Sequence, residues 1–153
     1  MLQDFNRMHA AIKDFMRDDL PDIVAVEAEK HFKASFDNQG FTDVALQKWK
    51  ARDVDTHPEK YSRRERERST GRAILIGHNS GDHLRDSIHT QISAGRVLVI
   101  APKVYAQIHN EGGITGRNHA STMPKRQFMG PSHQLNNKIK SKIDRTLNTI
   151  FNG

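Results

Sequence analysis

The chain has 153 residues, 35% of them hydrophobic, no cysteine, and a mean hydropathy of −0.74. That length suits one domain with a lean core, and the lack of cysteine excludes disulfides, thiolate chemistry and cysteine-ligated zinc. The net charge of +6 is unevenly held: residues 1–59 carry 8 Lys/Arg against 12 Asp/Glu, whereas residues 60–153 carry 16 against 6.

Leu2, Phe5, Met8, Ile12 and Phe15 recur at helical spacing and predict an amphipathic helix over about 2–17. RDDLPDI then interrupts it. Asp18 or Asp19 can cap a second helix, with Pro21 in its first turn, where a missing N–H is tolerated. Ala25, Ala28, Phe32 and Phe36 give that helix one apolar stripe, read as core, and Asn38 to Gly40 end it. Leu46 and Trp49 anchor a short helical turn. The stretch 52–70 is too densely charged to pack and reads as an exposed, mobile segment.

SIHTQIS (87–93) alternates as a half-buried strand should, Ala94-Gly95 makes a tight connection, and RVLVIA (96–101) is its partner. Val104, Tyr105 and Ile108 start a short helix that Gly112 can terminate. Residues 113–122 read as a second mobile loop, and MPKRQF as a third strand at the sheet edge. Gly130-Pro131-Ser132 opens a last helix whose stripe is Leu135, Ile139, Ile143, Leu147 and Ile150. The expected fold is a single α+β domain over 1–153. It has N-terminal helices, a small antiparallel sheet of about three strands, and a C-terminal amphipathic helix packed on the sheet.

MLQDFNRMHAAIKDF mixes acids with apolar residues, unlike a signal peptide, and no apolar run approaches the roughly 20 residues that span a bilayer. The expectation is a soluble protein made in a reducing cytoplasm. The charge split suits nucleic-acid contact, head-to-tail packing of identical subunits, or an unequally solvated surface.

Nine histidines invite metal chemistry, but His78, His83 and His89 lie five and six apart and no HExxH occurs. His109 and Glu111, two apart, point to different sides of a helix. A His-Asn-His nuclease needs its base on a strand and its metal ligands on a following helix, whereas HNEGGITGRNH has neither. No GxxxxGK[ST] is present, and the glycines follow a helix instead of a strand. Neither catalytic residues, a metal nor a cofactor is expected. Arg63, Arg64 and Arg66 could meet phosphates, although Glu65 and Glu67 interleave them and weaken the field.

YAQIHNEGG (Tyr105–Gly113), a polar loop, MPKRQFMGPS (Met123–Ser132) and a terminal amphipathic helix together resemble the Mu-like phage virion morphogenesis proteins, also described as tail-completion proteins. ILIGHNSGDHLRDSI (Ile74–Ile88) is similar to the family's pattern, and the Phe-rich second helix and Trp49 stand in the expected order. Lys125–Gln127 departs from the family's Ala-Arg-Pro: Arg126 matches, but the following proline is absent. The resemblance implies a non-enzymatic α+β protein that completes the tail or joins it to the head. Such a protein would act as a ring, hexameric on assembly, at the head-proximal end of the tail. Its implied partners are further copies of itself, tail-tube proteins and head-connector proteins, with DNA contact in the lumen left open. Its implied location is the virion, after assembly in the host cytoplasm.

Tyr105, His109, Glu111, Gly112 and Gly113 would then frame a loop. The expected assembly contacts are Arg126, Phe128, Met123, Pro124, Arg63, Arg64 and Arg66. Arg126 could clamp a neighbour's carboxylate with its fork or form a salt bridge within the chain. The competing readings are a basic nucleic-acid-binding module and, behind it, a metal-dependent nuclease.

Overall fold

The computed structural model describes residues 2–76 and 83–152, so the GHNSG part of the Ile74–Ile88 block, with His78, lies outside the described residues. Helix α1 (Leu2–Asp14) and helix α2 (Leu20–Asp37) do not separate at RDDLPDI as the sequence suggested. Five residues of π-helix, Phe15–Asp19, join them, and the Leu20 N–H donates to the Phe15 carbonyl. Asp19 stays helical (φ −75°, ψ −38°) and caps nothing with its side chain. The widened turn accommodates Pro21, whose missing N–H would otherwise interrupt the ladder. The face of α2 is buried where its stripe predicts, at Ala25, Ala28, Phe32 and Phe36, with His31 and Ser35 beside them.

The helical turn expected around Leu46 and Trp49 is instead a hairpin, β1 (Gly40–Thr42) against β2 (Leu46–Lys48), with Gly40 opposite Lys48. A Cβ on Gly40 would collide with the Gln47 carbonyl, so this pairing depends on glycine. The charged stretch 52–70 carries α3 (Asp53–Thr56), a 3-10 turn and α4 (Arg63–Ser69), with no buried residue in any of them. Ser62 and Glu65 close a capping box that holds the start of α4.

After α5 (Leu84–Ser87) comes the ladder that the alternation predicted. Strands β3 (His89–Ser93) and β4 (Arg96–Ile100) pair antiparallel, and Gly95 turns at φ +68°. Helix α6 (Ala106–Glu111) ends at Gly112, also as predicted. Residues 113–122 form a hairpin instead of an open loop, with β5 (Gly113–Thr115) against β6 (Ser121–Met123). Only Met123 of MPKRQF is in a strand, and β6 pairs with β5 instead of joining β3 and β4. The α+β class holds, and among the described residues the strands divide among three two-stranded antiparallel ladders.

Helix α7 (His133–Asn152) packs chiefly along α2, with a second contact to α1, so it covers helices more than sheet. One core cluster joins Phe36, Trp49, Leu84, Ile88, Ala106 and Phe128; a second joins Ala28, Phe32, Phe41 and Leu135. Val99 and Met129 touch both clusters and weld the ladder to the helices.

Ser132 fixes the start of α7. Its buried hydroxyl donates to the Thr42 carbonyl (2.8 Å) and accepts from the Leu135 N–H (3.1 Å). Ser132→Ala should therefore cost about 1–2 kcal/mol in urea unfolding, the usual range for losing such a cap. A change below about 0.3 kcal/mol would mean that Asp43, which accepts from the His133 N–H at 2.8 Å, suffices alone.

Candidate functional site

The opening of the Tyr105–Ser132 block is a short helix, and its close is an extended strap that returns across it. Gly112 permits the crossing: at φ +74°, a Cβ there would lie 2.8 Å from the Lys125 nitrogen and 3.0 Å from its Cα. The Arg126 N–H donates to the His109 carbonyl at 2.8 Å. The Phe128 and Met129 N–H groups both donate to Asn110 Oδ1, at 2.9 and 3.0 Å. From the other side, Ser35 Oγ donates to the Phe128 carbonyl (3.2 Å) and Trp49 Nε1 to the Gln127 carbonyl (2.7 Å). Within HNEGG the Asn110 side chain and the His109 carbonyl thus work inward, as ties that fix the strap. Glu111 is exposed and accepts from Gln107 (3.2 Å), while Gly113 turns at φ +135° into the hairpin.

Tyr105 stacks edge-on against His109, ring centroids 5.8 Å apart. His109 Nδ1 is buried without a hydrogen-bond partner. Burial first, and the Arg126 charge second, hold this imidazole below its ordinary pKa. It is the neutral ring that suits the fold. His31 behaves alike: its Nε2 donates to the Thr42 carbonyl (2.9 Å), and burial first, with Lys138 adding to it, lowers its pKa. Groups with depressed folded-state values stabilise the fold fully above the ordinary histidine value near 6.5, and that contribution is lost as pH falls below it. The urea midpoint should therefore drop between pH 7 and pH 5, and His31→Gln should flatten the drop. An unchanged slope in the variant would remove His31 as a cause.

Arg126 carries the most unusual electrostatics. It is 7% exposed, and among the described residues it has no carboxylate partner, so the salt bridge within the chain is not formed there. Its Nε and Nη2 reach the Lys50 carbonyl at 3.4 Å, and Nη1 lies 3.9 Å from Met123 Sδ. These are long contacts. Burial, and then the nearby Arg52 charge, push its pKa down against the weaker pull of Asp55. The side chain lines a cleft of about 530 Å³ bordered by Lys50, Arg52, His57, Thr122 and Pro124.

The expected contact residues divide. Arg126 and Pro124 meet at the cleft, and Met123 touches the guanidinium from behind. Phe128, 1% exposed and tilted against Phe36 at 5.2 Å, is core instead of contact surface. Arg63, Arg64 and Arg66 lie exposed on α4, with Arg63 paired to Glu67 at 2.7 Å. Ser132 opens the last helix as the sequence predicts, whereas Asn110 and Ser35, which hold the strap, do not stand out in the sequence. Asn110 offers one faint signal, an amide in the last helical turn just before Gly-Gly.

Among the described residues, no group of three or more His, Asp or Glu side chains converges as metal ligands would, and no helix is long and apolar enough to cross a membrane. No curated protein and no solved structure matches the chain. A family model does match, that of the phage virion morphogenesis family, over residues 14–148. With nearly the whole chain covered, from the π-turn to the last turns of α7, this protein belongs to the phage virion morphogenesis family.

Proposed function

We propose that the protein works without catalysis in tail completion or head–tail joining, as a ring at the head-proximal end of the tail. The observation that carries this reading is the use of the Tyr105–Ser132 block. Within it the Asn110 side chain and the His109 carbonyl hold a strap, and among the described residues no metal ligand set converges on a cavity. What the scaffold does present is contact surface. Ile92 and Leu98 on the β3–β4 ladder, Val104 after it, and Ile114 on the β5–β6 hairpin are exposed apolar side chains on open-edged strands or beside them. Such features invite covering by another chain.

Negative-stain microscopy of particles from phage lacking the gene tests the proposal. Filled heads beside unattached or aberrant-length tails are the expected result; normal joined virions would refute it. The nucleic-acid reading draws support from the exposed Arg64 and Arg66 of α4. It predicts DNA affinity that falls steeply with salt, by several counterions' worth.

A further inference from the structure

A guanidinium has five N–H donors. In Arg126 three are engaged in the long contacts to Lys50 and Met123, so two remain, one on each terminal nitrogen. One N–H on each terminal nitrogen can meet the two oxygens of a carboxylate end-on. The surroundings of the cleft select for such a group. Lys50, Arg52 and His57 border it, while its one acid, Asp53, is engaged by Tyr61 at 3.0 Å and His57 at 2.8 Å. Arg52 is itself held by both oxygens of Asp55, at 2.7 and 3.0 Å, leaving Arg126 as the buried cation at the cleft without a carboxylate among the described residues.

A concave site with one buried fork suits a single protruding side chain better than the even ridge of a nucleic-acid backbone. Asp19, Asp22, Glu59, Glu65, Glu111 and Asp144 form no ion pair among the described residues. In the acidic half of the chain, Asp19 and Asp22 stand three apart on one exposed helical face, and neither forms an ion pair among the described residues. They belong to the segment where α1 passes into α2.

We propose that the Arg126 cleft receives an aspartate carboxylate from a second copy of this chain, presented by Asp19 or Asp22. The contact is heterologous, since one patch is acidic and the other basic, and repeated around an axis it closes a ring. It deepens the ring reading above and rests on self-association.

Lys50, exposed at the rim of the cleft, makes the contact measurable. Equal amounts of unlabelled and 15N-labelled full-length chain are mixed at the highest soluble concentration and treated with a zero-length carbodiimide crosslinker. Mixed-label peptides joining Lys50 to Asp19 or Asp22 are the expected product. They should fall about tenfold in Arg126→Lys, which keeps the charge but loses the fork. The Asp19→Asn/Asp22→Asn double variant, which cannot be coupled at those positions, is read by sedimentation of the uncrosslinked full-length chain, where it should self-associate more weakly than the parent. It alters exposed positions only, so it remains informative even if Arg126→Lys destabilises the fold. Links from Lys50 to other acids only, no mixed-label link at all, or self-association undiminished in the double variant would each overturn the proposal. The gene-deletion micrographs test the tail role separately. Joined virions together with a Lys50–Asp19 link would refute the tail role and keep the contact, whereas defective tails without the link would do the reverse.

Discussion

Phe128→Ala should destabilise the subunit by about 3–5 kcal/mol, the range for emptying a fully buried aromatic site. The ring is 1% exposed and sits at the centre of a cluster with Phe36, Trp49, Leu84, Ile88 and Ala106. Its neighbours cannot collapse easily into the space. The strap backbone at Phe128 is tied on both sides, to Asn110 and to Ser35, so the chain itself is not free to sink inward. For a domain of this length the loss corresponds to a fall of roughly 6–20 °C in melting temperature. Phe36→Ala should cost a similar amount, because Phe36 is fully buried and touches both Phe128 and Trp49. The double variant should lose less than the sum, since the two cavities merge. Strict additivity in urea unfolding would show that the two rings stabilise the fold independently. A loss under about 1 kcal/mol for Phe128→Ala would mean that the strap moves freely, contrary to the ties that hold it.

The parts of this fold visible in the sequence are those whose period runs long enough to be counted. Helix α7 repeats its apolar residues across 20 positions, and β3–β4 alternates over two five-residue strands joined by Ala94-Gly95. The β1–β2 hairpin is hidden because three-residue strands are too short to show a period. Leu46 and Trp49 also mimic a helical step, although Leu46 is exposed and Trp49 lies just beyond the strand in the core. Asp-Asp-Leu-Pro-Asp resembles a break between helices, since it holds both caps and a proline, yet a π-turn absorbs the proline without interrupting the helix. At the candidate site, the family block spans the short helix and the strap that returns across it. The partners are beyond reach. Asn110 is tied to residues 18 and 19 positions later, and Arg126 to Lys50, 76 positions earlier; such pairings are decided by packing and leave no local pattern.

Asn110→Ala should cost about 2–5 kcal/mol, nearly as much as emptying the core, although it removes only a small polar amide. One oxygen, Asn110 Oδ1, accepts from two consecutive backbone N–H groups, those of Phe128 and Met129. Both residues lead into the packed interior, so neither N–H regains water easily when the oxygen goes. Each orphaned donor carries a desolvation penalty of about 1–3 kcal/mol, well above the net worth of a hydrogen bond made. Asn110→Asp separates this cause from simple loss of volume: it keeps the acceptor oxygen and should retain most of the stability at pH 7. Equal losses in the two variants would show that the amide nitrogen or the side-chain shape matters, and not the accepting oxygen. The pair also distinguishes scaffold from contact. If the HNEGG half of the block exists to hold the strap, any tail-joining defect of Asn110→Ala should shrink at low temperature, where enough folded subunit remains. Asp19→Asn/Asp22→Asn should instead melt like the parent and fail at every temperature, because it removes a contact and leaves the fold alone. Swapped behaviour, a cold-rescued aspartate variant and an Asn110 variant defective while fully folded, would move the functional centre from the Arg126 cleft back to the glycine-framed helix.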